Sequence, residues 1–172
     1  MLDQYAAQFK DEDYRVFDLS VNTFNDSYPS AYHHQIGGYN AAKLRRYQDI
    51  IDFYLSRHIN TDVLNMLNAR YVVVPGQGGQ AQVQRNPEAL GNAWFVDKYL
   101  LVKDPNAEIL ALNDFNPADT AIIDQCFASM VQGKNLERDS NSVIMMEHQK
   151  PYNPDYVVYK TKTSKDQLAV FS

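Results

Sequence analysis

An α+β fold is what this sequence predicts: a mixed or antiparallel sheet covered by one long helix over about 41–58, with two or three shorter helices packed on it. Three observations carry the prediction. "RYVVVPG" is a β-branched run closed by proline and glycine, the pattern of a strand and its turn. Leu44, Tyr47, Ile51, Tyr54, Leu55 and His58 recur at three- and four-residue steps and form one apolar helical stripe. Several further short segments alternate or run apolar between turn residues.

In chain order, residues 1–12 read as a polar lead-in or short helix. "DYRVFDLSV" (13–21) alternates and reads as a strand. Residues 22–40 hold Asn25, Asp26, Ser27, Pro29, Gly37 and Gly38 with no sustained period, which predicts a long loop. Asn40 is placed to cap the long helix, and Arg45 and Asp49 are spaced to pair on its outer face. A second helix from Thr61 is expected to bury Val63, Leu64 and Leu67. "GQGGQAQ" (76–82) is a flexible turn, since no lysine-serine pair follows to make it a phosphate loop.

"AWFVDKYLLV" (93–102) predicts one strand. Asp104 and Pro105 then open a helix that stops near 113–117. "DTAIID" (119–124) reads as a short buried strand and "NSVIMMEHQ" as another. "PDYVVYKTKTSKDQLAVFS" reads as a hairpin turning near "TSKD". The strand-like ending "QLAVFS" makes the chain read as a single domain, 1–172, truncated at its C-terminal end.

Composition narrows the function. A chain of 172 residues suits one domain, able to bury roughly 70% of its unfolded surface. A net charge of −5 disfavours non-specific nucleic-acid binding, which needs a basic face. The single cysteine, Cys126, excludes an internal disulfide and a cysteine-based zinc site, and its apolar neighbours predict a small packed hydrophobe. No run approaches the ~18 apolar residues that span a bilayer.

Residues 28–49, "YPSAYHHQIGGYNAAKLRRYQD", concentrate the polar chemistry. Adjacent His33 and His34 point to opposite faces in extended chain, so one packed ring and one solvated ring are expected rather than a metal pair. Neither Ser27 nor Ser30 lies in a nucleophile elbow. No pair of acids stands out for glycoside hydrolysis. Gly37 and Gly38 permit close backbone approach before the helix, where Lys43, Arg45 and Arg46 add positive charge that suits an anion. The plainer reading is a tight turn into the helix. No catalytic residue, metal ligand or cofactor site follows from spacing.

The stretches "YRVFDLS", "SYPSAYHHQIGGYNAAKLRRYQDIIDF", "VLNMLNARYVVVPG", "NPEALGNAWFV" and "NDFNPADTAIID" together resemble the YfhO-like family of bacterial membrane proteins, in a form most like that of Bacteroidetes. The resemblance implies a large polytopic protein of the inner membrane, with this segment on the extracytoplasmic, periplasmic face. It also implies a glycosyltransferase-like activity using a polyprenyl-phosphate sugar. The catalytic acid is then expected between early membrane helices outside this sequence, so the segment alone is expected to be non-catalytic. His33, His34, Tyr39, Arg46 and Trp94 fall in the matching stretches and are the candidates for a surface facing a glycan or sugar-lipid headgroup. The alternative is a structural module that docks on its own transmembrane region or on a partner, without a ligand.

Overall fold

The computed structural model describes residues 13–134, 136–137, 139–147, 153 and 155–172. The lead-in expected at 1–12 lies outside the described residues. The chain is α+β and divides into two compact units at Gly91–Asn92.

The first unit is built on a mixed sheet. Strand β1 (Arg15–Asp18) runs parallel to β2 (Ala69–Pro75), and β2 pairs antiparallel with β3 (Ala81–Arg85). On the other edge of β1, the chain returns to add a parallel bridge at Gln35, with Val16 N donating to His34 O (2.8 Å) and Ile36 N to Val16 O (3.0 Å). Val16, Phe17 and Asp18 are therefore all buried. The expected one-sided alternation gives way to burial on both faces, as in parallel sheets. On β2 the alternation holds, with Ala69, Tyr71 and Val73 buried.

A parallel β1–β2 pair requires a long crossover, and two helices supply it. Helix α1 begins at Arg45, is α-helical to Ile50 and continues as a π-helix over Ile51–Leu55. The long helix predicted for 41–58 is thus shortened to 11 residues. The reason is local. Asn40 does not cap the helix, because its Oδ1 accepts from Ala42 N (2.9 Å) in a turn of its own, and Leu44 occupies the cap position in extended conformation. At the far end, Asn60 N donates back to Tyr54 O (2.9 Å) and stops the run before His58. Ile51, Tyr54 and Leu55 form its buried stripe.

Helix α2 (Thr61–Met66) is capped by Asn60, whose Oδ1 accepts from Asp62 N (2.9 Å) and Val63 N (3.2 Å). It buries Val63 and Leu64 and packs on β2 rather than on α1. Strand β3 is an addition to the sequence reading. Its "AQVQR" carries too little apolar character to announce an edge strand, but Gly78 and Gly79 at positive φ turn the chain into it.

The second unit consists of three two-stranded ladders. β4 (Ala93–Val96) pairs antiparallel with β9 (Leu168–Phe171), β5 (Lys98–Val102) parallel with β6 (Thr120–Asp124), and β7 (Val143–Glu147) antiparallel with β8 (Val158–Lys162). The single strand expected over 93–102 is broken at Asp97, because Asp97 N and Lys98 N both donate to Asp119 O (3.1 and 3.0 Å), which turns the chain from one ladder to another. The expected C-terminal hairpin does not form either, since β8 and β9 take different partners. Helix α3 (Pro105–Ala111) joins β5 to β6 and is capped as predicted, with Asp104 Oδ1 accepting from Ala107 N (2.8 Å) and Pro105 in the first turn. Strand β6 is half-buried throughout rather than fully buried. A short helix α4 (Ala128–Val131) follows a turn in which Cys126 is exposed, contrary to the expectation of a packed thiol. Its "DQCF" context forms an Asp124-capped turn at the surface instead of a core segment.

Gly37 is the most tightly enclosed glycine of the first unit. A Cβ there would lie 2.0 Å from Thr23 O, and Gly38 N already donates to that oxygen (2.7 Å). Gly37→Ala is therefore expected to lose about 3 kcal/mol or more of stability. Gly78→Ala, with open space at φ +68°, is expected to lose about 1–2 kcal/mol. Urea midpoints of the two variants check the order.

Candidate functional site

The end of β1 builds a buried polar cluster in the first unit. Asp18 is 0% exposed. Its Oδ1 accepts from Ser20 N (2.9 Å) and Ser20 Oγ (2.6 Å), while its backbone oxygen accepts from Thr23 Oγ1 (2.5 Å). Asp18 Oδ2 is buried with no hydrogen-bond partner among the described residues. His33 is 7% exposed and lies within electrostatic reach of Asp18. Its neighbour His34 is exposed, so the pair divides into one packed and one solvated ring. The Ser20 hydroxyl is spent on Asp18 and is not poised as a nucleophile.

The other candidates from the 28–49 window lie at the surface. Tyr39 is 67% exposed and Arg46 is exposed. Arg45 pairs with Asp49 (2.9 Å), as its spacing predicts. The glycines serve the loop rather than the helix, because Gly37 and Gly38 close on Thr23, seven residues before α1 begins. Tyr47 links the two by donating its hydroxyl to Ile36 O, and burial raises its pKa above the ordinary phenol value.

Trp94 belongs to the second unit, apart from the other four candidates. Its indole Nε1 donates to Pro117 O (2.7 Å), which fixes the ring, and Trp94 is among the residues lining a cleft of about 370 Å³. Asp97, Asp119, Asp139, Ser142 and Gln167 line the same cleft. Asp97 Oδ1 is buried with no hydrogen-bond partner among the described residues. Asp119 accepts from Lys98 Nζ (3.1 Å) and Thr120 Oγ1 (2.5 Å). Asp139 accepts from Ser164 N (2.9 Å), Ser164 Oγ (2.7 Å) and Asn141 N (3.0 Å). The Ser164 amide, then its hydroxyl, and then the Asn141 amide hold Asp139 below the usual carboxylate range. A ring of fixed orientation beside carboxylate, hydroxyl and amide groups is chemistry suited to a polyhydroxyl ligand.

Sequence reasoning found Trp94 but not the acids around it. Asp97, Asp119 and Asp139 come from three separate segments, and no local spacing marks them. Among the described residues no group of three or more His, Cys, Asp or Glu is arranged to hold a metal ion, and no helix is long and apolar enough to cross a membrane. Compared with protein-family models, with curated proteins and with solved structures, the chain matches none.

His33 generates a pH prediction. Burial lowers its pKa, Asp18 pulls it up and His34 pushes it down, with a net lowering from the ordinary histidine value. The unfolded chain then binds the proton more readily. The stabilising contribution is present above about pH 6.5 and is lost as pH falls through the folded value. His33→Gln is expected to flatten the loss of stability between about pH 7 and 5. Denaturant midpoints across that range check it, and an unchanged slope would remove His33 as the cause.

Proposed function

We propose that this chain is an extracytoplasmic, glycan-contacting part of a YfhO-like bacterial inner-membrane protein, not catalytic by itself, that assists glycosyl transfer by holding an acceptor glycan or the sugar of a polyprenyl-phosphate donor. The cleft at Trp94 is the observation that carries this reading. An indole held by Pro117 offers a flat apolar face to sugar C–H groups, and Asp97, Asp139 and the side-chain oxygen of Gln167 offer acceptors to sugar hydroxyls, the Gln167 amide hydrogens being held by Glu137 O and Asp166 O. Trp94 also falls in "NPEALGNAWFV", one of the stretches that resemble the family, which supports the same reading.

Trp94 is the single tryptophan, so its emission reports this cleft alone. Titration of the chain with maltoheptaose, mannotriose and chitotriose is expected to give a saturable emission change with at least one of them, at a Kd of about 1 mM. Asp97→Asn is expected to weaken it about tenfold, the worth of one hydrogen bond to a charged group. An unchanged emission with all three probes would overturn the reading.

A second reading is favoured by the surface of the second unit. Among its described residues only Val96, Val102, Leu112 and Val131 are buried hydrophobics, while Leu100, Leu110, Met130, Met145 and Phe171 are exposed. A module with so small a core gains by docking on its own transmembrane region or on a partner. In that case Leu110→Lys and Met145→Lys leave the isolated fold unchanged by circular dichroism but lower the amount of full-length protein assembled in membranes.

A further inference from the structure

The first unit holds a cleft of its own, of about 460 Å³, between the loop after β1 and helix α1. That volume lies within the range of small-molecule pockets. Asn22 and Asn25 contribute from the loop, and Lys43, Gln48, Asp52 and Ser56 from the helix and its flanks.

Among the described residues Lys43 is the sole cation of the lining. It is half-buried, whereas Ala42, Leu44, Arg45 and Arg46 around it are exposed. No ion pair or hydrogen bond engages it among the described residues. Arg45, two residues on, already has Asp49 as its partner. Lys43 is thus the cation left to receive an anion from outside the chain.

The rest of the lining is set up for hydroxyl groups. Asp52 Oδ1 accepts from Gln48 Nε2 (2.8 Å), which holds the carboxylate in place. Asn25 Nδ2 donates to Asn22 Oδ1 (3.3 Å), leaving the Asn22 amide donor and the Asn25 amide oxygen uncommitted among the described residues. Donors and acceptors are therefore both present, and a sugar hydroxyl uses both. Ile51, Asp52 and Leu55, which form part of one wall, belong to the π-helical segment. Such segments are rare and recur at functional sites, because the wider turn re-aims side chains.

We infer that this cleft binds a small polyol bearing one acidic group, a uronic acid or a sugar phosphate, with the acid on Lys43 and the hydroxyls on Asp52, Asn22 and Asn25. Asp52 repels an anion at its own end, so the acidic group is directed to Lys43. A neutral sugar leaves Lys43 unpaired, and a bare anion leaves the amides and Asp52 unused. The inference rests on the first unit's geometry alone, so the Trp94 cleft and this one stand or fall separately.

The test is an amide NMR titration of the whole chain, following the side-chain amide signals of Asn22, Asn25 and Gln48 with Trp94 emission recorded alongside. The probes are glucuronate, glucose 1-phosphate, glucose and inorganic phosphate. Saturable shifts with glucuronate or glucose 1-phosphate, at least about tenfold tighter than with glucose, are expected, as a charge-assisted contact requires. The tighter of the two identifies the acidic group. Lys43→Met is expected to remove that preference and Lys43→Arg to retain it, with the backbone spectrum confirming the fold of each. Absence of saturable shifts, equal binding of glucose, equal binding of inorganic phosphate, or an unaffected Lys43→Met variant would each overturn the inference. An emission change at Trp94 without amide shifts would do so while leaving the second unit's cleft intact.

Discussion

Strand β1 is hydrogen-bonded on both edges and buried on both faces, and the first unit follows from that constraint. Backbone groups so enclosed must find partners in the chain. On one edge β2 provides them, and on the other the segment 34–36 does. To reach that edge the loop after β1 must double back within about fifteen residues. Thr23 bonds to the Asp18 carbonyl, Gly38 bonds to Thr23, and Tyr47 reaches Ile36 from α1. Asp18 and His33 are buried because this return closes over the end of the strand. Polar groups there are retained at a cost that hydrogen bonds from Ser20 partly offset.

The second unit follows a different economy. Three two-stranded ladders share the work of one larger sheet, and each leaves edges and faces open. Few residues are fully buried, and large apolar side chains remain at the surface. Its order is carried by specific contacts such as the Trp94–Pro117 bond, the Asp119 carbonyl beneath Asp97 and Lys98, and the Asp139–Ser164 clasp. The same open construction creates the cleft, because ladders that do not merge into a sheet leave polar side chains lining the space beside them.

The candidate residues show where local reading reaches its limit. The division of His33 and His34 into a packed and a solvated ring was legible, since adjacent side chains in extended chain must diverge. The cap at Asp104 and the pairing of Arg45 with Asp49 were equally local and equally legible. Trp94 was not separable from the 28–49 window by sequence, although it lies in the other unit. Asp97, Asp139 and Gln167 were invisible, as each is ordinary in its own segment and acquires meaning only beside the others.

By itself the sequence determined the α+β class, the strand in "RYVVVPG", the helices from Thr61 and from Asp104, and the segments that form strands other than β3. These depend on apolar periodicity and on side chains bonding to backbone a few residues away, both of which are properties of short stretches. Tertiary structure decided which strands pair, where 93–102 breaks, how far α1 runs, and that Cys126 faces outward. It also assembled both clefts. Pairing is chosen among several edges of similar hydrogen-bonding capacity, so competition over long separations settles it, and neither periodicity nor propensity encodes that competition.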